Sequence, residues 1–347
     1  MKAALLVGPK KIEVREVPAL KPPPTGLVLK MMACGICGSD LRRWAEGPPT
    51  GTGHLVQGHE LAGVVVETGA DPGSFRVGDR LAVAPDIHCG ACWYCRRGLF
   101  NLCPNLKLLG ITAGLDGGFA ELVILPGDLL RHGVVHRMPE GLTFGEGGLA
   151  ETISSVLAAH HKAATSLGET VVILGAGPIG CLHVVIARAR GARTIVSEPN
   201  PLRRSGVEKF APDCVIDPSR EDIAAIVKRE TNNLGADVVI CANPVGATQT
   251  QAVEIARRGG RVVLFGGLPK SSPIVSFNAN LIHYGEQMVI GAFSYHPHFH
   301  EQALGALQRK VVRTDDFITH TRPLAQIAEG FEIAASGQAL KVMIEPD

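Results

Sequence analysis

A strand that runs directly into a glycine-rich turn and then a helix is the feature that most constrains the fold. Thr170-Val-Val-Ile-Leu174 is a continuous apolar run, Gly175-Ala-Gly-Pro-Ile-Gly180 follows it, and a helix is predicted over residues 179–190. Further apolar strands alternate with helical segments along the next hundred or so residues. Such alternation predicts a parallel sheet covered by helices on both faces. We therefore expect a doubly wound Rossmann domain over residues 152–286.

The glycine turn predicts a dinucleotide site, because it follows a strand and opens a helix. Gly175 permits the tight turn, Gly177 lets the backbone approach a pyrophosphate, and Gly180 lets the helix pack closely on the strand. The free N–H groups and the dipole of the helix N-terminus then favour the bound negative charge.

The choice of cofactor depends on the end of the next strand. Glu198 lies 23 positions after Gly175 and can accept hydrogen bonds from the adenosine ribose. A carboxylate there repels a 2′-phosphate, so we expect NAD, with NADP less favoured. Arg203 and Arg204 keep the alternative open, because arginines can clamp a 2′-phosphate. The other residues expected at the cofactor are Pro178, Ile179, Phe265, Gly266, Gly267, Ala292, Phe293 and Ser294.

The first part of the chain has a different pattern of predicted secondary structure. Up to about residue 150, short β-rich runs such as Leu61-Ala-Gly-Val-Val-Val66 alternate with glycine and proline turns. This pattern predicts a barrel-like, mostly antiparallel domain with long loops. We expect this domain to cover residues 1–151 and to be completed by the tail, residues 287–347.

Four cysteines in a short segment predict a structural zinc site. Cys89, Cys92, Cys95 and Cys103 have the spacing C-x2-C-x2-C-x7-C. Four thiolates close the coordination shell of zinc, so the metal stabilises a loop and leaves no position for substrate. The alternative is a redox-active C-x-x-C pair, but the thioredoxin-like setting of such a pair is missing.

Composition and charge exclude several function classes. The chain has 347 residues, enough for about two domains, and 46% of them are hydrophobic. A formal net charge of +1 gives no electrostatic reason to bind nucleic acid or an acidic membrane. No apolar run reaches the roughly 18 residues that span a bilayer. The cysteine spacing indicates metal rather than disulfides, so we expect a reducing, cytoplasmic location.

A second cluster identifies the family. Cys34-Gly-Ile-Cys37-Gly-Ser39-Asp40 is followed about twenty residues later by Gly58-His59-Glu60. With the four-cysteine segment and the Rossmann unit, the chain resembles the zinc-containing medium-chain dehydrogenases over essentially its whole length. It is most similar to their sorbitol and threonine dehydrogenase branch. The resemblance implies an α/β protein with a GroES-like β-barrel-type catalytic domain, a Rossmann domain, and assembly as a homotetramer or homodimer.

The resemblance also implies a second, catalytic zinc, and thus two zinc ions per chain. Cys37 and His59 would bind it, with Glu60 beside or on the metal and Glu151 as a further glutamate contact. Asp40 would accept a hydrogen bond from His59, and Ser39 would pass the substrate proton outward. One thiolate and one glutamate neutralise zinc, so we predict that the two glutamates are not both bound during turnover.

Three positions depart from the family pattern and bear on substrate. Arg42 stands where many relatives have a histidine in the proton relay, Arg43 where sorbitol dehydrogenases have a tyrosine, and Ser294 where they have an arginine. The two arginines could recognise an acidic or phosphorylated polyol, or they could simply face solvent.

We expect oxidation of a secondary alcohol of a polyol-like small molecule to a ketone, and the reverse. An amino alcohol such as threonine is the second candidate substrate for the same machinery. A different class of function, a zinc- and NAD-binding sensor or scaffold without turnover, is disfavoured by the presence of Cys37, His59, Glu60 and Glu151.

Overall fold

The computed structural model describes residues 1–347, and these divide into two units. Unit 1 comprises residues 1–154 and 295–347, and unit 2 comprises residues 155–294. The ten helices are α1 (Gly38–Glu46), α2 (Gly127–His132), α3 (Phe144–Lys162), α4 (Pro178–Ala189), α5 (Pro201–Val207), α6 (Ile223–Glu230), α7 (Gly246–Ile255), α8 (Ala279–Gly285), α9 (His298–Gln308) and α10 (Ile327–Ser336).

The strands fall into three sheets. They are β1 (Lys2–Gly8), β2 (Lys11–Glu16), β3 (Leu27–Gly35), β4 (Leu55–Val56), β5 (Glu60–Thr68), β6 (Arg80–Ile87), β7 (Lys107–Leu108), β8 (Leu122–Leu125), β9 (Gly133–Arg137), β10 (Thr170–Leu174), β11 (Arg193–Ser197), β12 (Cys214–Ile216), β13 (Ala236–Cys241), β14 (Ala256–Leu264), β15 (Met288–Gly291), β16 (Ile318–Pro323) and β17 (Lys341–Glu345).

Unit 1 contains a curled eight-stranded sheet and a small three-stranded one. The larger sheet has the order β16-β17-β3-β5-β6-β7, with β8 on β3 and β9 on β6, and the smaller has the order β2-β1-β4. All pairings are antiparallel except β16 with β17. The predicted barrel-type, mostly antiparallel fold is confirmed.

The apolar runs of the sequence form the core of unit 1. In β3, Leu27, Val28, Leu29 and Met31 are buried, and Lys30 is exposed. Successive side chains of a strand point to opposite faces, so most of β3 is covered on both faces. Burial of each such side chain contributes about 2 kcal/mol, which fixes the frame on which the site loops sit.

Unit 2 is built on a six-stranded parallel sheet. The strand order is β12-β11-β10-β13-β14-β15. From β10, the next two strands of the chain are added on one side, and the later strands are added on the other side, beginning with β13. In open sheets of this kind, ligands bind beyond the carboxyl ends of the strands at the reversal point. The glycine turn after β10 lies there, and the predicted Rossmann fold is confirmed.

The end of the chain contributes a strand to the unit 1 sheet. β17 pairs with β3, with Met343 opposite Gly35 and Ile344 opposite Cys34. This pairing brings Lys341 next to the segment that carries Cys37. None of the ten helices combines the length and apolar character that crossing a membrane requires.

Candidate active site and metal centres

The four predicted zinc-lobe cysteines come together in unit 1. Their sulfur atoms all lie within 4.8 Å of one another, and none forms a disulfide. Cys92 Sγ is 3.4 Å from Cys95 Sγ and 3.9 Å from Cys103 Sγ, and Cys89 Sγ is 4.0 Å from Cys95 Sγ. Four thiolates at about 2.3 Å around a tetrahedral zinc lie about 3.8 Å apart. The four sulfurs therefore fit a closed structural zinc site.

The local backbone already favours a thiolate at one of these positions. Backbone N–H groups of Ala91 and Cys92 lower the pKa of the Cys89 thiol to about 6. Burial raises the pKa of Cys95 to about 12. A bound metal removes the proton of a coordinating thiol outright, so zinc would convert the whole set to thiolates.

The second predicted cluster also assembles within unit 1. Cys37 lies at the N-cap of α1, just after β3, and His59 and Glu60 lie where β5 begins. One ligand atom from each of the three residues lies within 4.8 Å of the others. His59 and Glu60 are buried, and Cys37 is partly buried. A thiolate, an imidazole and a carboxylate form a donor set that suits a catalytic zinc, which keeps an open position.

His59 presents its two ring nitrogens to different neighbours. Nε2 lies 3.3 Å from Ser39 Oγ, and Nδ1 lies 3.4 Å from Asp40 Oδ1. The Nδ1 contact does not meet hydrogen-bond geometry, so Asp40 acts on His59 through the charge of its carboxylate. Asp40 itself is fixed, because its Oδ2 accepts the backbone N–H of Cys37 at 2.9 Å. With Nδ1 turned to Asp40, Nε2 is the nitrogen available to a metal.

The electrostatics of this cluster favour a cation. Burial alone would lower the pKa of His59, but the Asp40 carboxylate and the Cys37 thiol raise it well above its usual range. The surroundings thus attract positive charge to the position between Cys37 and His59. A divalent metal would supply that charge in place of a proton, so the residues fit zinc.

Glu60 is held by a lysine from the end of the chain. Lys341 Nζ lies 2.6 Å from both Glu60 carboxylate oxygens, and both side chains are buried. Burial would lower the pKa of Lys341, but Glu60, Cys37 and Glu151 together raise it, so the ammonium stays charged. Each oxygen of Glu60 retains a second lone pair, so Glu60 can still bind a metal, in competition with the Lys341 ammonium.

Glu151 lies on α3, outside the group of three ligand residues. The hydroxyl of buried Tyr295 donates a hydrogen bond to Glu151 Oε1 at 3.1 Å. Burial raises the pKa of Glu151 to about 7, while His59 lowers it and Glu60 and Asp86 raise it further. Glu151 therefore belongs to the same charged environment as the cluster, with one carboxylate oxygen already engaged.

The glycine turn of unit 2 has the geometry that a pyrophosphate site needs. Gly175 has φ +113°, and a Cβ on Gly180 would lie 1.9 Å from the Gly175 carbonyl oxygen. A Cβ on Gly177 would meet nothing within 4 Å, so that side of the turn is open. Gly177 caps α4 without a side-chain hydrogen bond, and Pro178 and Ile179 form the first turn. The N–H groups there can receive an anion.

Glu198 closes β11 and borders this turn. Its Oε2 accepts the backbone N–H of Ala176 at 2.8 Å, and its Oε1 accepts that of Asn200 at 2.9 Å. The side chain is buried, and these two bonds fix its orientation. Each carboxylate oxygen retains a second lone pair for a ribose hydroxyl.

The guanidinium groups of the two arginines after Glu198, Arg203 and Arg204, differ in their contacts with the protein. Arg204 donates to the backbone carbonyls of Glu198 and Pro199, at 2.8 and 2.6 Å, and pairs with Asp217 at 2.7 Å. These contacts commit its guanidinium to the fold. Arg203 is thus the member of the pair that could meet a 2′-phosphate.

The remaining predicted cofactor residues lie on two loops of unit 2. These loops follow the carboxyl ends of β14 and β15, and they carry Phe265, Gly266, Gly267, Ala292, Phe293 and Ser294. A Cβ on Gly266 would lie 2.3 Å from the Asn243 carbonyl oxygen, so only glycine fits there. Ser294 has φ +47°, in the left-handed region. The loops lie at the sheet edge where parallel sheets bind ligands.

The predicted substrate arginines lie on α1. Arg42 is exposed, and Arg43 is partly buried and lies 3.3 Å from Glu46 in an ion pair one turn along the helix. Surface pairs of this kind contribute little to stability. The exposure of Arg42 and the ion pair of Arg43 agree with arginines that face solvent. They do not favour a role in binding an acidic substrate.

Comparison with known families agrees with this architecture. Residues 23–140 match the alcohol dehydrogenase GroES-like domain, and residues 178–309 match the zinc-binding dehydrogenase domain. The chain belongs to the zinc-containing medium-chain dehydrogenases, in the branch that includes polyol and threonine dehydrogenases, and is an oxidoreductase. The family predicted from the motifs is confirmed.

Relatives of known activity match the chain over its length. It is 32% identical to a sorbitol dehydrogenase of Bacillus subtilis, covering 100% of this chain and 98% of that protein. It is 33% identical to an L-threonine 3-dehydrogenase of Pyrococcus horikoshii, covering 95% and 94%. Among solved structures, a zinc-binding dehydrogenase of Sinorhizobium meliloti bound to NADP superposes with a TM-score of 0.89 at 32% identity, covering 99% of each chain.

Three residues near Glu60 and Glu151 were not predicted from the sequence. Lys341 lies 281 positions from Glu60, and Tyr295 lies 144 positions from Glu151. Asp86 lies on β6, just before the four-cysteine segment but outside its motif. No local spacing signals any of these contacts, since each arises from strand pairing or from the return of the chain to unit 1.

Proposed function

We propose that the chain transfers hydride between a nicotinamide cofactor, NAD in preference to NADP, and a secondary alcohol of a polyol-like substrate. The reaction oxidises the alcohol to a ketone and is reversible. The observation that supports it best is the meeting of ligand atoms from Cys37, His59 and Glu60 within 4.8 Å at a buried position. We propose two zinc ions per chain, this one and the one held by the four-cysteine lobe.

Each residue of the catalytic set has a role that its geometry supports. Cys37 and His59 Nε2 would hold the metal, and Asp40 orients His59 through Nδ1. Lys341 pairs with Glu60 and Tyr295 donates to Glu151, and because one thiolate and one glutamate neutralise zinc, we propose that one glutamate at a time binds the metal. Bound zinc would supply Lewis-acid polarisation of the substrate hydroxyl, and bound nicotinamide would accept the hydride.

The proton of the substrate hydroxyl needs an acceptor in the chain. Ser39 Oγ lies 3.3 Å from His59 Nε2, beside the proposed metal position. Arg42 cannot exchange protons near neutral pH, so the relay would pass from Ser39 to the cofactor ribose or to water. This route differs from that of relatives with a histidine at the position of Arg42.

The preference for NAD rests on Glu198, whose charge opposes a 2′-phosphate. Arg204 is committed to backbone carbonyls and to Asp217, which supports the same choice. Because one structural relative is bound to NADP, the activity screen includes NADP as well as NAD. From its membership of the medium-chain dehydrogenases, we also propose that the protein is cytoplasmic and forms a homotetramer or homodimer.

A threonine-type or other amino alcohol is the second candidate substrate, supported by the relative from Pyrococcus. The test is a screen of the zinc-loaded enzyme with polyols, threonine and related alcohols, with NAD and with NADP, following absorbance of the reduced nicotinamide. Turnover of polyols with NAD is expected. Zinc and NAD binding without turnover of any alcohol would contradict an enzymatic role and indicate the sensor or scaffold.

A further inference from the structure

Two buried histidines of unit 2 contact each other and have no role in the proposed hydride transfer. His160 lies near the end of α3, His183 lies on α4, and both are 0% exposed. His183 Nδ1 lies 3.1 Å from His160 Nε2, and His160 Nδ1 lies 3.0 Å from the hydroxyl of buried Thr165. The three side chains thus form one hydrogen-bonded chain inside the unit that carries the predicted cofactor residues.

Both imidazoles of this chain are neutral. Burial, and after it the charge of Arg190, lower the pKa of His160 to about 3. Burial, and after it His160, lower the pKa of His183 well below its usual range. A neutral imidazole has one N–H donor and one acceptor nitrogen. Each hydrogen bond of the chain therefore has one donor and one acceptor, and the choice at one bond fixes the choice at the next.

The chain ends against an aromatic ring. Nε2 of His183 is buried and has no hydrogen-bond partner. The rings of His183 and Phe265 pack in a T-shape, with centroids 4.8 Å apart and planes at 90°. A T-shaped pair allows the N–H group of one ring to meet the π face of the other, which is a weak hydrogen bond.

The direction of the hydrogen bonds decides what Nε2 presents to Phe265. If Thr165 donates to His160 and His160 donates to His183, then His183 carries its proton on Nε2 and can donate it to the phenyl ring. In the opposite direction, Nε2 would be a buried acceptor that receives no hydrogen bond. Because a buried polar atom without a partner is costly, the first direction is favoured.

Phe265 begins the loop after β14, at the edge of the sheet where parallel sheets bind ligands. The next residue holds the loop backbone: the N–H of Gly266 donates to the Cys241 carbonyl at 2.9 Å, and Gln249 Nε2 donates to the Gly266 carbonyl at 3.2 Å. Phe265 itself is half-buried. The contact with His183 therefore bears on the orientation of a side chain that is partly accessible at the predicted cofactor loop.

We propose that Thr165, His160 and His183 form a positioning chain that orients Phe265 for the nicotinamide cofactor, with His183 donating from Nε2 to the phenyl ring. His183 is a positioning residue, because it acts on the cofactor only through Phe265. This inference rests on the proposed function, since it needs a cofactor bound at the loop after β14.

Nitrogen NMR of the full-length enzyme with isotopically labelled histidine tests the direction of the chain. It identifies which nitrogen of His183 is protonated, and the signals are assigned by their loss in His183→Gln. We expect the proton on Nε2, with a ring-current shift that disappears in Phe265→Leu. A proton on Nδ1 of His183, or a proton on Nε2 that Phe265→Leu leaves unshifted, would overturn the proposal.

Two matched variants test the effect on the cofactor. His183→Gln places its amide close to the position of Nε2, whereas His183→Asn places its amide close to Nδ1 and leaves no donor near the phenyl ring. Calorimetry measures the Kd for NADH, steady-state kinetics measure the KM for NAD, and the unfolding temperature is checked for each variant. We expect NADH to bind about three- to fivefold more weakly to His183→Asn than to His183→Gln, with the same ratio in KM.

The difference between the two variants should vanish when Phe265→Leu is also present, because the ring that receives the hydrogen bond is then missing. His283→Gln is the control. His283 also forms a T-shaped pair, with Tyr284 at a centroid distance of 4.7 Å, but both residues are exposed on α8. This variant should bind NADH like the wild type.

Equal NADH affinity of His183→Gln and His183→Asn, or a difference that persists with Phe265→Leu, would overturn the proposal. Failure of the proposed function looks different: the wild type binds neither NADH nor NADPH, or binds them and oxidises no alcohol. Without cofactor binding, the role toward the cofactor is wrong together with the proposed function. The NMR measurement needs no cofactor and still decides whether His183 donates to Phe265.

Discussion

Lys341 Nζ lies 2.6 Å from each carboxylate oxygen of Glu60, although 281 residues separate the two in the chain. Both side chains are buried, at 4% and 0% exposure. Removal of one partner of such a pair leaves an uncompensated buried charge, which typically costs 3–5 kcal/mol. The ammonium also competes with the proposed metal for Glu60, so its loss should affect stability and metal binding together.

Lys341→Met should destabilise the metal-free enzyme by about 3 kcal/mol and the zinc-loaded enzyme by less. The difference arises because Glu60, once released, can become a metal ligand. Urea unfolding with and without zinc measures both values, and chelator competition should show tighter zinc binding. Lys2→Met, which breaks an exposed pair with Asp347, is the control and should change little. Equal losses in both forms would contradict the role assigned to Lys341.

Cys92→Ser should lose the lobe zinc and destabilise unit 1 by about 3 kcal/mol, because structural zinc contributes directly to folding energy. Turnover per folded enzyme should persist, since this site has no open position for substrate. Thermal unfolding and an activity assay on the same preparation check the two claims. Cys214→Ser, on β12 and outside both clusters, is the matched control. Unchanged thermal stability of Cys92→Ser would refute the structural role.

The buried carboxylate of Glu146 should make the stability of the fold depend on pH. Burial raises its pKa, but hydrogen bonds from Lys310 and Thr143 outweigh burial and lower the pKa below the usual 4.5. A carboxyl with a lowered native pKa stabilises the fold above its unfolded pKa, and that stability is lost as pH falls through the native value. Glu146→Gln should therefore cost about 2 kcal/mol at pH 7 and progressively less as pH falls below 4.5. Urea unfolding across pH measures the difference, and a constant difference would be inconsistent with the ion pair.

Glu198→Gln should raise KM for NAD about tenfold and weaken the discrimination against NADP, because it removes the charge that opposes a 2′-phosphate. The amide oxygen can accept one of the two backbone N–H groups that Glu198 accepts, and the amide NH2 meets the other, so the unfolding temperature of the variant is measured as well. Arg203→Gln is the companion variant and should weaken NADP alone. Steady-state kinetics with both cofactors provide the test. Equal efficiency of NADP and NAD in the wild type would contradict the assignment of Glu198.

Much of the fold could be predicted because its signals are local. Thr170–Leu174 and the glycines after it specify strand, turn and helix within eleven residues. The apolar runs around Leu27 and Leu61 likewise fall in strands β3 and β5. The spacing of the four cysteines was also enough to predict a cluster, since three of them lie within seven residues.

The charged surroundings of the second cluster could not be predicted in the same way. Lys341 reaches Glu60 only because β17 pairs with β3, and Tyr295 reaches Glu151 only because the chain returns to unit 1. Register between distant strands depends on tertiary packing, which no short motif encodes. The motifs therefore predict the metal ligands but not the residues that pair with them.

Zinc content of the wild type and of Cys37→Ala, measured by elemental analysis beside activity, is the most direct test of two separate metal sites. We expect about two zinc ions per wild-type chain. Cys37→Ala should retain the lobe zinc and its fold, lose the other zinc and lose turnover. One zinc per wild-type chain, or an active Cys37→Ala enzyme that retains both, would contradict the assignment of the catalytic metal to Cys37, His59 and Glu60.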